Sequence, residues 1–409
     1  MRKLNRHFVR TFTRDLLFYT ALLLYMFSQL IGTTYWATPE YAEPMTLKVL
    51  QLMRYVSYAM CVVKLVQQRI YKRRRFLALA VTMIVCAVCA TMCSEKLLIF
   101  SALFVFAAEG EDSDRILRIV LCCQSAVLAM AVFSCKVGLI PDFVRFSGGR
   151  DRFFLGFSWV TTAPILFLFM ILEIVYLRRG RMRWTDLLLA PVAVWLYWQT
   201  RTRMALLYSL LALAFFFVWS RLPALPALSE RWRKWLKYLL VVLPWACALL
   251  SLVSALLYNG QGLWNTADKL LSYRLSLAHE GLQNYGITLL GQPIRWIGNS
   301  LSETLTGIYN YVDNSYLQIL LNNGVVFLVL ILSAYSMILW TAVENKNQTL
   351  IFIVMLILAF SLTEPRLVNL FYNPFLLLVV SERIRKSQPA PAVCVPAVPA
   401  YQKENVANA

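Results

Sequence analysis

The chain has 409 residues, of which 59% are hydrophobic, above the about 45–50% apolar content of soluble domains, so the composition excludes a soluble globular protein. Its formal net charge of +19 at pH 7 is concentrated in short basic clusters between long apolar runs. That distribution excludes a nucleic-acid-binding surface, where the charge would line one continuous face, and is typical of a polytopic membrane protein.

Taken in chain order, the apolar runs predict membrane-crossing helices, since one span needs about 20 predominantly apolar residues. The sequence predicts an all-α, polytopic transmembrane bundle of about 12 spans within residues 1–387. Two runs are irregular, because 97–110 is short and 369–381 is interrupted by Asn373-Pro374, so either could be re-entrant or broken. The runs lie near 15–34, 47–66, 77–94, 97–110, 117–137, 156–177, 185–200, 204–220, 237–257, 315–341, 349–363 and 369–381.

The basic clusters predict the orientation of the spans, because cytoplasmic connections are enriched in lysine and arginine. Both termini are then predicted to be cytoplasmic, and residues 258–313 to lie on the outer side. No small-residue cleavage site follows the first apolar run, which is therefore predicted to be a span and not a signal peptide. The clusters are Arg2, Lys3, Arg6, Arg10 and Arg14; Arg69 and Lys72–Arg75; Arg178, Arg179, Arg181 and Arg183; and Arg231, Arg233, Lys234 and Lys237.

Three of the nine cysteines, Cys86, Cys89 and Cys93, share one helical face inside an apolar run. Their C-x-x-C spacing superficially suggests a metal or redox site. No second cysteine pair and no nearby histidine accompanies them, and small polarizable residues are common at helix contacts, so the pattern favours packing.

Residues 388–409, beginning QPAPAVCVPAVPA, are rich in proline, alanine and valine and lack helical periodicity. They predict a disordered cytoplasmic tail.

The one sizeable hydrophilic stretch, residues 258–313, separates the ninth and tenth predicted spans, and a connection of this length is usually functional. Within it, ADKLLSYRLSLAHEGLQNYG predicts a single amphipathic helix that is capped at Asn265 or Thr266 and ended by Gly286. One face of this helix is apolar and includes Ala267, Leu270, Leu271, Ala278 and Gly281, so the helix should lie on the membrane or on the protein body.

Arg274 falls within the apolar face of that helix. This placement predicts an anion bound in a protected site; the alternatives are that Arg274 extends to lipid headgroups or pairs with a carboxylate from a span. His279 lies at the edge of the polar face, where either a solvated residue or a catalytic one is compatible with the pattern.

Further arginines are predicted on the outer side, most of them without a matching carboxylate. Paired phosphate oxygens match the planar guanidinium, so the set predicts an anionic ligand such as a diphosphate; the alternative is binding of anionic lipid headgroups. For Arg366, a local ion pair with Glu364 is the other interpretation, and Glu173 in the sixth span is predicted to pair with Arg178 and Arg179. The outer arginines are Arg150, Arg152, Arg201, Arg203 and Arg366.

Three segments carry a resemblance to a known family: SYRLSLAHEGLQNYGITLLGQPIRWIG, YNYVDNSYLQILLNNGVVF and TEPRLVNLFYNPFLLL. Together with RDRFFLGF before a span and the QTRTRMALL turn, they resemble the Wzy-type oligosaccharide repeat-unit polymerases of the O-antigen polymerase and ligase family. The resemblance is strongest over residues 270–380.

The resemblance implies a GT-C-type glycosyltransferase at the outer face of a bacterial cytoplasmic membrane. The implied donor is a glycan on undecaprenyl diphosphate, and the implied acceptor is the sugar of a second lipid-linked unit. The polymer would be a capsule, an exopolysaccharide or an O-antigen, with a chain-length regulator as a candidate partner. No metal or other cofactor is implied, and the outer segments contain no Asp-x-Asp pair to bind one.

The ligase relatives use an arginine in the Gln-Thr-Arg turn and another in the outer helix, positions that correspond to Arg201 and Arg274. They also place a catalytic histidine in a His-Asn pair where this sequence has Asp313-Asn314. That departure favours a polymerase over a ligase and leaves the general base open, with Asp313 as the candidate because a carboxylate can accept the acceptor's proton.

A ligase that transfers finished glycan to a terminal acceptor, and a flippase or transporter of lipid-linked oligosaccharides, are the alternative hypotheses. A transporter would be expected to place charged residues along the centre of many spans. Here the arginines are predicted at the outer rim.

Overall fold

The structure is a computed structural model that describes residues 2–68, 73–147, 149–222, 230–301 and 309–381, with side chains described for 15–68, 76–146, 149–222, 234–301 and 309–381. These residues form an all-α bundle with one small β-hairpin, as the sequence predicts for the fold class. The predicted C-terminal tail, residues 388–409, lies outside the described residues.

The described helices follow one another with short connections in most places. They are α1 (Arg2–Ile31), α2 (Pro44–Gln67), α3 (Arg73–Met92), α4 (Leu97–Ala107), α5 (Ser113–Lys136), α6 (Thr162–Leu177), α7 (Leu189–Thr200), α8 (Arg203–Trp219), α9 (Glu230–Leu257), α10 (Gly262–Leu270), α11 (Arg274–Tyr285), α12 (Ser315–Glu344), α13 (Gln348–Phe360) and α14 (Leu378–Ser381). Two antiparallel strands, β1 (Val144–Ser147) and β2 (Arg150–Phe153), lie between α5 and α6.

Side-chain caps fix where several helices begin. Asp112 accepts a hydrogen bond from the Asp114 amide at the start of α5. Asn314 accepts from the second and third amides of α12, at 2.9 and 3.1 Å, and Asn347 accepts from Leu350 N in α13. Each cap satisfies an amide that has no partner within its own helix.

Four described helices are long and apolar enough to cross a membrane: Pro44–Gln67, Ser113–Lys136, Lys234–Leu257 and Ser315–Glu344. Shorter apolar helices correspond to most of the other predicted spans. The run 369–381 is broken, as its Asn373-Pro374 pair suggested, into a 3₁₀ turn at Pro374–Leu377 followed by α14. That about 12 segments cross a membrane stays a prediction.

Alternate connections of the chain meet at the same end of the bundle. Ser158 N donates to Thr33 O, Leu301 N donates to Ser158 O, and Ser315 N donates to Ser361 O. These bonds bring the connections after α1, α5 and α13 to the end where residues 258–301 and 309–314 lie. We call this the site end. Arg179 pairs with Asp114 and Lys237 with Glu344 at the opposite end.

A break in α12 holds the segment 287–292 against the bundle. Gly324 has φ 85° and ψ 172°, a conformation open to glycine because it has no Cβ. A Cβ at Gly324 would lie 2.4 Å from Gly291 N and 2.6 Å from Leu289 O. Val326 N then donates to Leu289 O, outside the helix. The long segment is thus tied by its backbone to the middle of the bundle.

Helix α6 lies at the centre of the bundle, with nearly every side chain buried. Cys86, Cys89 and Cys93 are buried and free, in agreement with the packing interpretation.

The prediction that Glu173 pairs with Arg178 and Arg179 is wrong, because Arg178 pairs with Asp186 and Arg179 with Asp114. Helical neighbours are three or four positions apart, and these arginines are five and six positions beyond Glu173.

Candidate active site

The predicted amphipathic helix in residues 267–285 is two helices, α10 and α11, because the chain turns sharply between them. Ser272 and Tyr273 have positive φ values of 60° and 63°. The buried Asp268 carboxylate compensates for the break, accepting hydrogen bonds from Leu275 N at 2.8 Å and Ser276 N at 3.2 Å. It therefore caps α11 from a distance, and a carboxylate is favourable at that helix end.

The break changes the faces that a continuous helix would present. Leu270, predicted on the buried face, is 76% exposed. Ala278 and Gly281 are buried, and Gly286 ends α11, as predicted. Arg274 becomes the first residue of α11 and lies at the helix end that faces the rest of the site.

The guanidinium of Arg274 lies between two carboxylates at the site end. Its Nη2 donates to Glu364 Oε1 at 2.8 Å, and its Nε lies 3.6 Å from Asp313 Oδ2. The three side chains are mostly buried, with exposed fractions of 15% for Arg274, 3% for Glu364 and 22% for Asp313. Of the three interpretations open from the sequence, the structure places Arg274 with carboxylates.

Arg274 remains a cation in this position. Burial lowers its pKa, but Glu364 and Asp313 raise it by more, so the net shift is upward. Two carboxylates also fix the orientation of the Arg274 guanidinium. Its other N–H groups therefore point in defined directions.

Asp313 has a pKa raised into the neutral range. Burial raises its pKa, and the adjacent Glu364 carboxylate raises it further, while Arg274 and Arg366 lower it; the result is a pKa of about 7. Tyr309 OH lies 3.5 Å from Asp313 Oδ2 and can donate to it. A carboxyl group with a pKa near the working pH is suited to general base catalysis.

Arg366 does not form the local ion pair with Glu364 that was one interpretation of the sequence. Glu364 turns its carboxylate to Arg274, and only the backbone carbonyl of Glu364 bonds to Arg366, accepting from its amide at 3.0 Å. The guanidinium of Arg366 lies 4.8 Å from the ring centre of Tyr372, and its Nε is buried without a hydrogen-bond partner.

The β-hairpin places Arg145 directly opposite Arg152. Arg152 Nε donates to Thr200 O at 2.9 Å, while Arg145 Nη1 is buried with no hydrogen-bond partner. Burial lowers the pKa of Arg152; Glu364, Tyr309 and Asp313 oppose that shift, and Arg145 adds to it. Arg152 therefore interacts electrostatically with both carboxylates of the site, Glu364 and Asp313.

Sequence reasoning missed Arg145. The signal was present, because Gly148-Gly149 lies between two short runs of alternating polar and apolar residues, which predicts a hairpin. The register of the two strands places Arg145 opposite Arg152.

Arg201 lies beside the Arg152 contact. It ends α7 in the left-handed conformation, with φ 55°, immediately after Thr200. Its Nε is buried without a hydrogen-bond partner, and its guanidinium lies 4.8 Å from the ring centre of Trp198. Arg150 and Arg203 are exposed, and no described contact brings either one to Asp313 or Arg274.

An aromatic cluster lies next to Asp313 in the fold. Tyr311 lies 5.2 Å from Trp159 and 6.2 Å from Trp296, measured between ring centres, and Trp296 lies 5.7 Å from Tyr285. The side chains are half-buried, and Trp296 Nε1 is buried without a partner. Such rings combine an apolar face with a polar edge.

His279 has both ring nitrogens occupied. Nδ1 donates to Ala255 O at 2.8 Å, so Nε2 accepts from Gln283 Nε2 at 2.8 Å. The ring therefore fastens α11 to α9, and the contacts support a structural role for His279.

The site thus combines a carboxylate of suitable pKa with more positive charge than it can neutralise internally. Asp313 and Glu364 are the carboxylates in contact with Arg274. Three further arginines, Arg145, Arg201 and Arg366, keep a buried nitrogen without a partner. Such an arrangement can bind an anion of several oxygens and remove a proton from a neighbouring group.

Comparison of the chain with protein-family models, with curated proteins and with solved structures finds no match.

Proposed function

We propose that the chain is a polysaccharide polymerase that joins oligosaccharide repeat units carried on undecaprenyl diphosphate. In this proposal the site end faces the outside of a bacterial cytoplasmic membrane, the segments with basic clusters face the cytoplasm, and about 12 segments span the bilayer. The polymer would be a capsule, an exopolysaccharide or an O-antigen.

The observation that carries the proposal is the position of Asp313. It is a carboxylate with a pKa of about 7, beside a guanidinium already fixed by Glu364, in a site that holds further arginines with free donors. A base next to an excess of fixed positive charge suits a transfer whose leaving group is an anion.

The proposed reaction is a displacement at the anomeric carbon of the donor sugar. A hydroxyl oxygen of the acceptor sugar forms the new bond to that carbon, and its proton passes to Asp313. The bond from the anomeric carbon to the diphosphate oxygen breaks, and its electron pair stays on the diphosphate. Arg145, Arg152, Arg201 and Arg366 bind the diphosphate and stabilise the charge that develops on it.

Arg274 has a positioning role in this reaction, because it contacts the base Asp313. It holds Asp313 and Glu364 in place, and its charge keeps the pKa of Asp313 from rising further. The aromatic cluster around Tyr311 gives the acceptor sugar apolar faces to pack against, two residues from the base.

The test is elongation by the purified full chain in lipid vesicles, with a synthetic lipid-linked repeat unit and no transmembrane gradient. A ladder of longer glycans on a gel is expected. Asp313→Asn should reduce its rate by about 10²–10⁴-fold, the usual contribution of a general base. His279→Ala is the control, since its ring makes structural contacts only, and the ladder should persist in that variant.

The ligase and flippase hypotheses give different outcomes in the same assay. A ligase would transfer one glycan to an added terminal acceptor and produce no ladder. A flippase would move the lipid-linked unit across the bilayer without lengthening it. Either result would replace the polymerase proposal.

A further inference from the structure

The two most exposed large apolar side chains of the described residues lie on one short helix, α10. Leu263 is 88% exposed and Leu270 is 76% exposed. They are about two helical turns apart, so both lie on one edge of α10, which we call the leucine edge. In water these side chains would leave their apolar surface hydrated, which is unfavourable. The leucine edge therefore needs an apolar surface outside the described part of the chain to cover it.

The other sides of α10 have different surroundings. On the inner side Asp268 is buried and Trp264 is half-buried, while the polar residues Asn265 and Lys269 are exposed. Each of these four residues lies about 100–160° around the helix from the leucine edge. The exposed apolar edge is thus separate from the side that packs on the protein and from the side that faces water. This pattern is typical of a helix that lies in the membrane interface.

The preceding helix indicates which surface covers the leucine edge. Within α9, Lys234–Leu257 is long and apolar enough to cross a membrane. It is the least buried of the four described helices with that property, since 22% of its most apolar stretch is buried against 33–56% in the others. Leu249, Leu256 and Leu257 near its end are 57–61% exposed, as expected for a surface that faces lipid. The connection 258–261 is short, so α10 begins where this lipid-facing surface ends.

Two residues beside the leucine edge also suit the boundary between lipid and water. Tyr273, just after α10, is 58% exposed, and tyrosine is enriched where a membrane meets water. Lys269 is exposed on α10, and a lysine side chain can lie along an apolar surface while its ammonium group reaches the headgroups. The chemistry around the edge therefore favours a lipid surface over a second protein.

We propose that α10 is an interfacial helix whose leucine edge is inserted into the lipid leaflet at the site end. Asp268, on its inner side, accepts hydrogen bonds from Leu275 N and Ser276 N of α11, and α11 begins at Arg274. The leaflet therefore holds the start of α11, and with it the Arg274–Glu364 pair, at a fixed height relative to the bilayer. This role requires the membrane spans and no glycosyl transfer, so it goes beyond the proposed function.

The experiment is photocrosslinking of the full chain in nanodiscs of phosphatidylethanolamine and phosphatidylglycerol. The photoreactive residue p-benzoylphenylalanine replaces Leu263, Leu270 or Asn265 in three separate chains, and mass spectrometry of the irradiated protein identifies its adducts. Lipid adducts are expected for the chains substituted at Leu263 and at Leu270. Asn265 is the matched control, because it is exposed on the same helix away from the leucine edge, and its chain should give no lipid adduct.

Two further variants test the leucine edge in the chain that is photoreactive at position 263. Leu270→Glu places a charge on the edge, and because a charge is costly to bury in hydrocarbon, the lipid adduct should be lost. Asn265→Glu adds the same charge outside the edge and should leave the adduct unchanged. Thermal unfolding in the same nanodiscs identifies any variant that fails to fold; the three photoreactive chains without a further substitution then decide the test.

Equal lipid adducts at all three positions, or none at positions 263 and 270, would overturn the proposal. So would adducts from these two positions to a second copy of the chain or to another segment of the same chain, since the edge would then be a protein contact. Crosslinking requires no glycosyl transfer, so the two proposals fail separately. Lipid adducts without elongation count against the polymerase alone, and elongation without lipid adducts counts against the interfacial helix alone.

Discussion

Arg274 Nη2 donates to Glu364 Oε1 at 2.8 Å across 90 positions of the sequence. This pair connects the start of α11 to the loop after α13, and Asp313, just before α12, lies on the other side of the same guanidinium. Three separate segments are thus held around one charge, and the electrostatics of the site depend on it.

Removing either partner of this pair should destabilise the fold. Arg274→Ala is expected to lower the free energy of unfolding by about 3–5 kcal/mol, since it leaves the buried Glu364 carboxylate unpaired. The double variant Arg274→Ala with Glu364→Ala should lose less than the sum of the two single losses. Denaturant unfolding in detergent micelles measures all four proteins; strictly additive losses would contradict the pairing.

The pH dependence of elongation should report Asp313. Activity of the wild type is expected to rise with pH through about 7, because the base must be ionised to accept a proton. Glu364→Gln removes the neighbouring negative charge that raises the pKa of Asp313, so the rising limb should move to lower pH. The control is Glu280→Gln, an exposed carboxylate on α11, which should leave the limb in place.

Stability should also depend on pH through Asp313. Its pKa is higher in the folded chain than the ordinary value of 3.8, so the folded state binds the proton more tightly than the unfolded state does. Stability is then lost as pH rises from about 4 to about 7 and does not change further above that range, where both states are ionised. Asp313→Asn cannot ionise and should lose less stability than the wild type between about pH 4 and about pH 7. A parallel decline in both proteins would refute the assignment.

Arg145 and Arg152 of the β-hairpin should strengthen binding of the lipid-linked donor and lower the stability of the folded chain. Arg145 and Arg152 are directly opposite, and like charges so placed are destabilising. Arg145→Ala should therefore maintain or raise the melting temperature, while KM for the lipid-linked donor rises about tenfold, as for loss of one charge-assisted contact.

Arg152→Ala should raise KM similarly. Arg295→Ala, which removes an exposed arginine of the segment 258–301, is the control and should leave KM unchanged. If Arg145→Ala lowered stability and did not alter KM, the hairpin would be a structural element only.

Much of the scaffold follows from local patterns. Most apolar runs form helices near their predicted ranges, and Asn373-Pro374 breaks the last run, because proline lacks an amide donor for a helix. Gly286 ends α11 because glycine adopts its positive φ without strain. The turn between Ser272 and Tyr273 was missed, since neither residue is a helix breaker and the capping Asp268 carboxylate acts across seven positions.

The sequence by itself determined that this is a helical chain with an apolar body and an arginine-rich segment. Composition and hydrophobic periodicity are properties of residues within one or two helical turns, so they can be read from the sequence alone. The helical position of Arg274 also singled out that residue, whereas Asp313 was a candidate only through the family resemblance. Only the tertiary structure decided that Glu364 belongs to Arg274 and that Arg145 faces Arg152. It also set the pKa of Asp313 near 7. Those properties come from burial and from charges on distant segments, whose distances are fixed only when the helices pack.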